Sequence, residues 1–392
     1  MNKSCLIGFL MCSAFSLVVQ AATDGAHITK TISQIERKKG IKRTIQYRPD
    51  GNDFVCVNGK NRYTRALYGG ITDFRIETSD RPVFAAYKPK DSKHICFRLQ
   101  CGNQSIALDS LKFCEARYRA GRRTYRLTDP LLGKGELNIS VLAFPDAEGG
   151  IWRFTMKDMP EGALLHCYIS EIRAKNLSRN GDMGADRADS FDAPQLPKEQ
   201  KHYKLSLDGT TAYIVVEDQE LRLPALVEGT SLYDKSEKWR SEIESSLQIS
   251  TPDPYFNPLG GALAAAADGI WDGKIWLHGA IGWRSQLNGW RAAYIGDFIG
   301  WHDRARTHFD SYAASQVTDV PATIPHPTQD TALHLARSVK KWGTPHYSNG
   351  YICRTPYRKD QMHHYDMNLC YIDELLWHFN WTGDLDYVRK MW

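Results

Sequence analysis

The stretch Asp268–Phe309, DGIWDGKIWLHGAIGWRSQLNGWRAAYIGDFIGWHDRARTHF, decides how this chain is read. It holds Trp271, Trp276, Trp283, Trp290 and Trp301, five of the eleven tryptophans, in roughly a tenth of the length. Interleaved with them are Arg284, Arg291, Asp297, His302, Asp303, Arg304 and Arg306. Flat aromatic faces cover the apolar faces of sugar rings, while Arg, Asp and His bond hydroxyls directionally. That mixture suits a carbohydrate-binding surface. A tryptophan-rich seam between two domains would use the same residue types. Two features favour the surface: the charges alternate with the aromatics, and no amphipathic helical spacing begins before about Ala292.

Upstream of this stretch the chain reads as short strands. Arg43–Tyr47, Ser140–Phe144, Ile151–Thr155 and Ala212–Val216 are β-branched or aromatic, and turn signals recur at Pro49–Gly51, Asn58–Gly59, Gly149–Gly150 and Asp208–Gly209. Strands spaced this way predict a large antiparallel β-sandwich. Asn180–Lys201 is polar and reads as a long surface loop. Around Asp253–Pro258 the texture changes. Ala262–Ala267 is nearly all alanine, a helical signature, and Gly300–Ala314 has helical spacing. Val320–Pro327 reads as a proline-punctuated linker, and Asp330–Trp342 and Tyr365–Phe379 as amphipathic helices. Trp381–Asp386 is a helix stop followed by a new start. Two such helices leave apolar faces uncovered, so the chain reads as stopping inside a helical domain that continues beyond Trp392. The partition expected is 1–21 signal peptide, 22–252 β-sandwich, 253–325 linker with helices and 326–392 incomplete helical domain.

Composition sets the class. Of 392 residues, 42% are hydrophobic and 11% aromatic, enough for a packed core. The net charge of +5 is scattered, and Lys38, Lys39, Lys42 and Arg43 with Arg122–Arg123 read as solvated faces. Nothing resembles a nucleic-acid module. Lys3, the apolar run Leu6–Val19 and Val19-Gln20-Ala21 form an export signal, implying a periplasmic or extracellular protein, and no later run has the length of a membrane span. Seven cysteines outlast cleavage, an odd and scattered set that is no disulfide framework, although one pair among Cys96, Cys101 and Cys114 fits an oxidising compartment.

A β-sandwich, a helical linker and paired helices ending in Thr382-Gly383-Asp384 resemble the six-hairpin, (α/α)6-barrel glycosidases. Trp276–Gly279 and Trp301–Phe309 are similar to a group of exported gut-bacterial proteins with an N-terminal sandwich before such a barrel. The resemblance spans residues 30 to 392, with Ile275–Phe309 its specific part. It implies a β-then-α fold ending in the first hairpins of the barrel. It also implies glycoside hydrolysis by two carboxylates, one protonating the leaving oxygen and one activating water. By the resemblance Asp297 is the first catalytic candidate and Asp303 the reserve, with a second carboxylate supplied from hairpins beyond Trp392. The competing uses of Asp297 are capping the next helix and pairing with Arg291.

Trp283, Trp290 and Trp301 are the stacking candidates, and Arg284, Arg291 and His302 the hydroxyl or carboxylate binders. Core packing and salt bridges are the competing uses of the same side chains. His363-His364-x-Asp366 is too weak a pattern to assign a metal, and no cofactor motif, nucleophile elbow or P-loop is present. Two rivals stand beside the hydrolase: a non-catalytic carbohydrate-binding sandwich, and a polysaccharide lyase using Tyr294 near His302. The familiar lyase order, helices before sandwich, is the reverse of the order here.

Overall fold

A computed structural model describes residues 46–61, 64–88, 91–172, 201–280, 284–289, 292–318, 328–330, 335–337, 350–356 and 365–392. The export signal, the Lys38–Arg43 cluster, the 180–200 loop and the 320–327 linker lie outside them. The described residues form two compact units. Those up to Gly69, Phe74–Ile172 and 201–265 make the first. Gly70–Asp73 and the residues from Ala266 onward make the second.

The first unit holds two antiparallel sheets. One is ordered β1 (Arg48–Asp50), β2 (Asp53–Val57), β8 (Phe113–Arg119), β9 (Arg122–Thr128), β10 (Glu136–Ala143), β11 (Gly149–Lys157), β14 (Thr211–Glu217), β15 (Glu220–Arg222). The other runs β13 (Lys201–Ser206), β12 (Leu164–Ile172), β6 (Ser92–Cys101), β5 (Phe84–Tyr87), β4 (Arg75–Thr78), β3 (Arg65–Tyr68), with β7 (Gln104–Ala107) also on β6. Strict alternation sends Leu137, Ile139 and Val141 of β10 and Trp152, Phe154 and Met156 of β11 into one core. Phe84 meets Trp152 and Tyr125 edge-to-face, both at 5.6 Å, and Phe97 meets Phe154 at 5.5 Å. Arg123, expected on a solvated face, lies instead on the inner face and is fully buried. It donates to Tyr47 Oη (2.9 Å) and the Ser79 carbonyl (2.8 Å), with the Asp80 carboxylate 3.7 Å away. Cys56, Cys114 and Cys167 are buried, and all seven cysteines in the described residues are free thiols.

Three further expectations change. Gly149 and Gly150 open β11 instead of forming its turn, paired with Glu217 and Val216 of β14, and Gly150 has no room for a side chain, since a Cβ there would stand 2.2 Å from Ile76 Cδ1. The region expected to be all strand contains the 20-residue helix α1 (Leu226–Ser245). It packs on β10, β11 and β14 and covers the outer face of their sheet, Tyr233 and Leu232 against Leu142, Ile151, Tyr213 and Val215. Leu335–Arg337, expected to be helical, is strand β17, paired with β16 (Thr328–Asp330).

Helix α2 (Leu259–Gly269) follows the Asp253–Pro258 change of texture. In the second unit come α3 (Ala292–Phe298), α4 (His302–Ala313), α5 (Tyr365–Thr382) and α6 (Leu385–Met391). Gly383, at φ +67°, ends α5, and Asp384 caps α6 by accepting from the Tyr387 amide. The order is therefore sandwich first and helices second. Gly296 lets α3 lie on Trp276, since a Cβ there would stand 2.1 Å from the indole. No helix among the described residues is long and apolar enough to cross a membrane.

His308 on α4 accepts the Trp276 amide at Nδ1 (3.1 Å). Burial pushes its pKa down to about 3 from 6.5, so the folded ring stays neutral where the unfolded one takes a proton. Its contribution is intact above pH 6.5 and is lost as pH falls from 6.5 towards 3, by roughly 1.4 kcal/mol per pH unit. Urea unfolding across that window should show this slope in the wild type and a flatter one in His308→Gln. Identical slopes would refute the assignment.

Candidate active site

Asp297 sits in the last turn of α3, and His302 opens α4. Between them Gly300 takes φ +83°, a conformation open to glycine at little cost, and this tight turn brings the two side chains together. His378 comes from α5, which packs on both helices. The three residues meet at one atom. Asp297 Oδ1 lies 2.7 Å from His302 Nδ1 and 2.8 Å from His378 Nδ1.

A carboxylate can only accept, so both imidazoles donate from Nδ1. That fixes their tautomers and leaves each neutral ring with its lone pair on Nε2. Asp297 is 4% exposed and His378 fully buried, while the His302 side chain is 37% exposed. His378 Nε2 is buried without a hydrogen-bond partner, wedged edge-on against the rings of Phe309 and Tyr387. His302 is thus the member open to solvent, oriented by a buried carboxylate in the way a general base is held. The same groups place one carboxylate oxygen and one nitrogen from each imidazole within 4.8 Å of one another. Two imidazoles and a carboxylate form a donor set suited to a divalent transition metal, once both Nδ1 protons are released.

The other sequence candidates are distributed differently. Asp303 is 95% exposed and pairs with Arg306 on its own helix. Arg284 donates to the Gly269 carbonyl, Thr72 Oγ1 and Asp73, each at 3.0 Å. Trp301 is half-buried beneath the Arg304 guanidinium, 4.2 Å from its ring. Arg304 also bonds Asp268 at 2.7 Å, whose carboxyl is raised by burial despite that partner. Trp271 and Trp276 pack together at 4.8 Å in the core of this unit. Tyr294 donates to Asp373 at 2.6 Å and is not among the partners of His302. Asp297 does not cap α4, whose N-cap, Trp301, makes no side-chain cap bond. Trp283, Trp290, Arg291, His363 and His364 lie outside the described residues.

Sequence reasoning missed His378, which lies 81 residues from Asp297. It also missed the aromatic surface beside the cluster. Phe298 follows Asp297, Trp381 stands one turn after His378, and the two rings meet edge-to-face at 5.8 Å. Phe298, Trp377 and Trp381 are 54%, 48% and 49% exposed, which leaves ring faces free for a ligand.

Residues 89–216 match the model of a domain of unknown function, DUF4450. No curated protein matches the chain. Among solved structures, a bacterial glucoamylase complexed with acarbose is similar at a TM-score of 0.37 and 9% identity. The match covers 67% of this chain and 55% of that one, so the chain spans about half of the glucoamylase.

Replacing Asp297 by Ala strips the acceptor from two imidazoles, one of them wholly buried. The expected cost is about 3 kcal/mol, against about half of that for Asp297→Asn, which keeps one acceptor oxygen. Denaturant unfolding followed by tryptophan fluorescence measures both. An unshifted midpoint in Asp297→Ala would show that the cluster ties nothing together.

Proposed function

We propose that this chain is the amino-terminal portion of an exported glycoside hydrolase, acting on a polysaccharide or complex glycan by acid–base hydrolysis. The observation that carries the reading is the buried Asp297 carboxylate, held by two imidazoles in a cluster whose helices α3 and α5 also carry the exposed rings of Phe298, Trp377 and Trp381. Two N–H donors satisfy one oxygen of this carboxylate and hold it in place. Being nearly closed to solvent, Asp297 acts through His302, whose ring it orients by accepting from Nδ1. The activated group is the water that attacks the anomeric carbon. The exposed aromatics supply stacking faces for the sugar. Asp303, exposed on the first turn of α4, is the reserve carboxylate. The general acid belongs to helical hairpins beyond those described, and α5 offers them a face in Leu369, Ile372 and Leu376, 70%, 53% and 48% exposed. The Leu6–Ala21 segment supports export.

The test is sugar release from a panel of polysaccharides by the protein expressed from its full reading frame. His302→Ala and Asp297→Asn should each lower kcat roughly 100- to 10,000-fold with KM little changed. A folded protein that binds glycans yet releases no sugar would replace the hydrolase reading with a binding-only one.

A further inference from the structure

On the outer face of the larger sheet, beyond the part covered by α1, lies a cavity of about 340 Å³. That is near the lower end of small-molecule sites. Its floor is a cross-strand ladder. Arg117 of β8 pairs with Thr124 of β9, Thr124 with Ser140 of β10, and Ser140 with Arg153 of β11. Beside it a second row places Arg126, Asn138 and Thr155 in register. Hydroxyls, an amide and guanidinium groups line it, together with the Glu115 carboxylate that Arg117 and Arg126 neutralise, and no large apolar side chain does apart from the edge of the sheet's own core.

The arginines are not equivalent. Arg117 is bound by Asp50, Asp53 and Glu115, Arg122 by Glu237, and Arg126 by Glu115 and Glu136. Among the described residues Arg153 has no carboxylate and no hydrogen-bond partner. Its guanidinium lies flat on the Tyr233 ring, 3.9 Å from the centroid, and its Nε is buried and unbonded. Tyr233 is itself 2% exposed and locked by a 2.7 Å bond from its hydroxyl to Ser140 Oγ. The plane of the guanidinium is therefore fixed before any ligand arrives, and its fork is unspent. A preorganised planar fork matches a carboxylate in bidentate fashion, and the surrounding hydroxyls and amide match sugar hydroxyls.

We propose that this groove binds an acidic glycan, with Arg153 clasping the carboxylate of a uronic acid residue and Thr124, Asn138 and Ser140 facing its hydroxyls. An acidic peptide would present the same carboxylate, but a floor with no apolar pocket offers nothing to its neighbouring side chains. The proposal stands apart from the hydrolase reading, since no residue of the Asp297 cluster takes part.

The experiment is isothermal titration of the full chain with oligogalacturonate, with maltooligosaccharide and poly-glutamate as comparisons. Oligogalacturonate should bind, and the other two should not. Arg153→Gln should weaken binding about tenfold or more, the scale of one charge-assisted bidentate pair. Arg153→Lys should weaken it too, because an ammonium keeps the charge and loses the fork. Asn138→Ala, which leaves the Arg153–Tyr233 stack untouched, guards against a folding artefact and should weaken binding several-fold. Asp297→Asn should leave binding unchanged, which separates this groove from the active-site proposal. Undiminished affinity in Arg153→Gln, equal binding of maltooligosaccharide or poly-glutamate, or no binding of oligogalacturonate would each overturn it.

Discussion

A single oxygen, Asp297 Oδ1, constrains the helical unit. It accepts from His302 at the start of α4 and from His378 on α5 while belonging to α3. Three helices are therefore referred to one point, and the arrangement tolerates little slack. Gly300 must take its positive φ to turn α3 into α4, and Gly296 must stay bare for α3 to rest on Trp276. Trp276 is in turn set by its amide bond to His308. Breaking the hydrogen bonds at Oδ1 would leave polar groups in a dry interior, where an unpaired donor costs about 1–3 kcal/mol. That penalty holds the geometry, and the same geometry orients His302.

The sandwich shows the opposite economy. Its inner faces are filled by alternation alone, and its outer face is divided. α1 seals the part where Leu142, Ile151, Tyr213 and Val215 point outward, and it approaches closely because Gly229 carries no side chain against the Tyr213 ring. Where the outward residues turn polar the helix cover ends, and Tyr233 of α1 at that boundary both packs on the sheet and supports Arg153. The transition from apolar to polar along the sheet's outer face thus sets where the groove begins.

Much of the sandwich was legible because period-two alternation is a local signal: the segments around Ser140, Ile151 and Ala212 all fall within strands. Helix α1 was not. It buries only Gly229, Tyr233, Ser236 and Arg240, a narrow stripe in which Tyr233 is the single large apolar residue, so no amphipathic pattern betrays it. The three-residue strands β16 and β17 are too short for any periodicity, and the leucines around them imitate a helix. At the site, Asp297 and His302 were legible as near neighbours. His378 was not, because its part depends on the packing of α5, a tertiary fact with no trace in spacing.

The tryptophan-rich stretch was weighed as either a ligand surface or a packed seam, and its residues divide the two tasks. Trp276 is buried in the core, Trp271 is partly buried against it, and Trp301 is half-buried under Arg304, which Asp268 anchors. Buried aromatics of this kind fix a backbone; they cannot stack on a ligand. Rings that leave more of their surface open are Phe298 at the end of α3 and Trp377 and Trp381 on α5. Alternation of charge with aromatics has a packing origin at Trp271 and Trp301, because both indoles lie beside Arg304, which ties Asp268 down. The rigidity so produced is what keeps Asp297, one residue from Phe298, within bonding distance of a histidine from another helix.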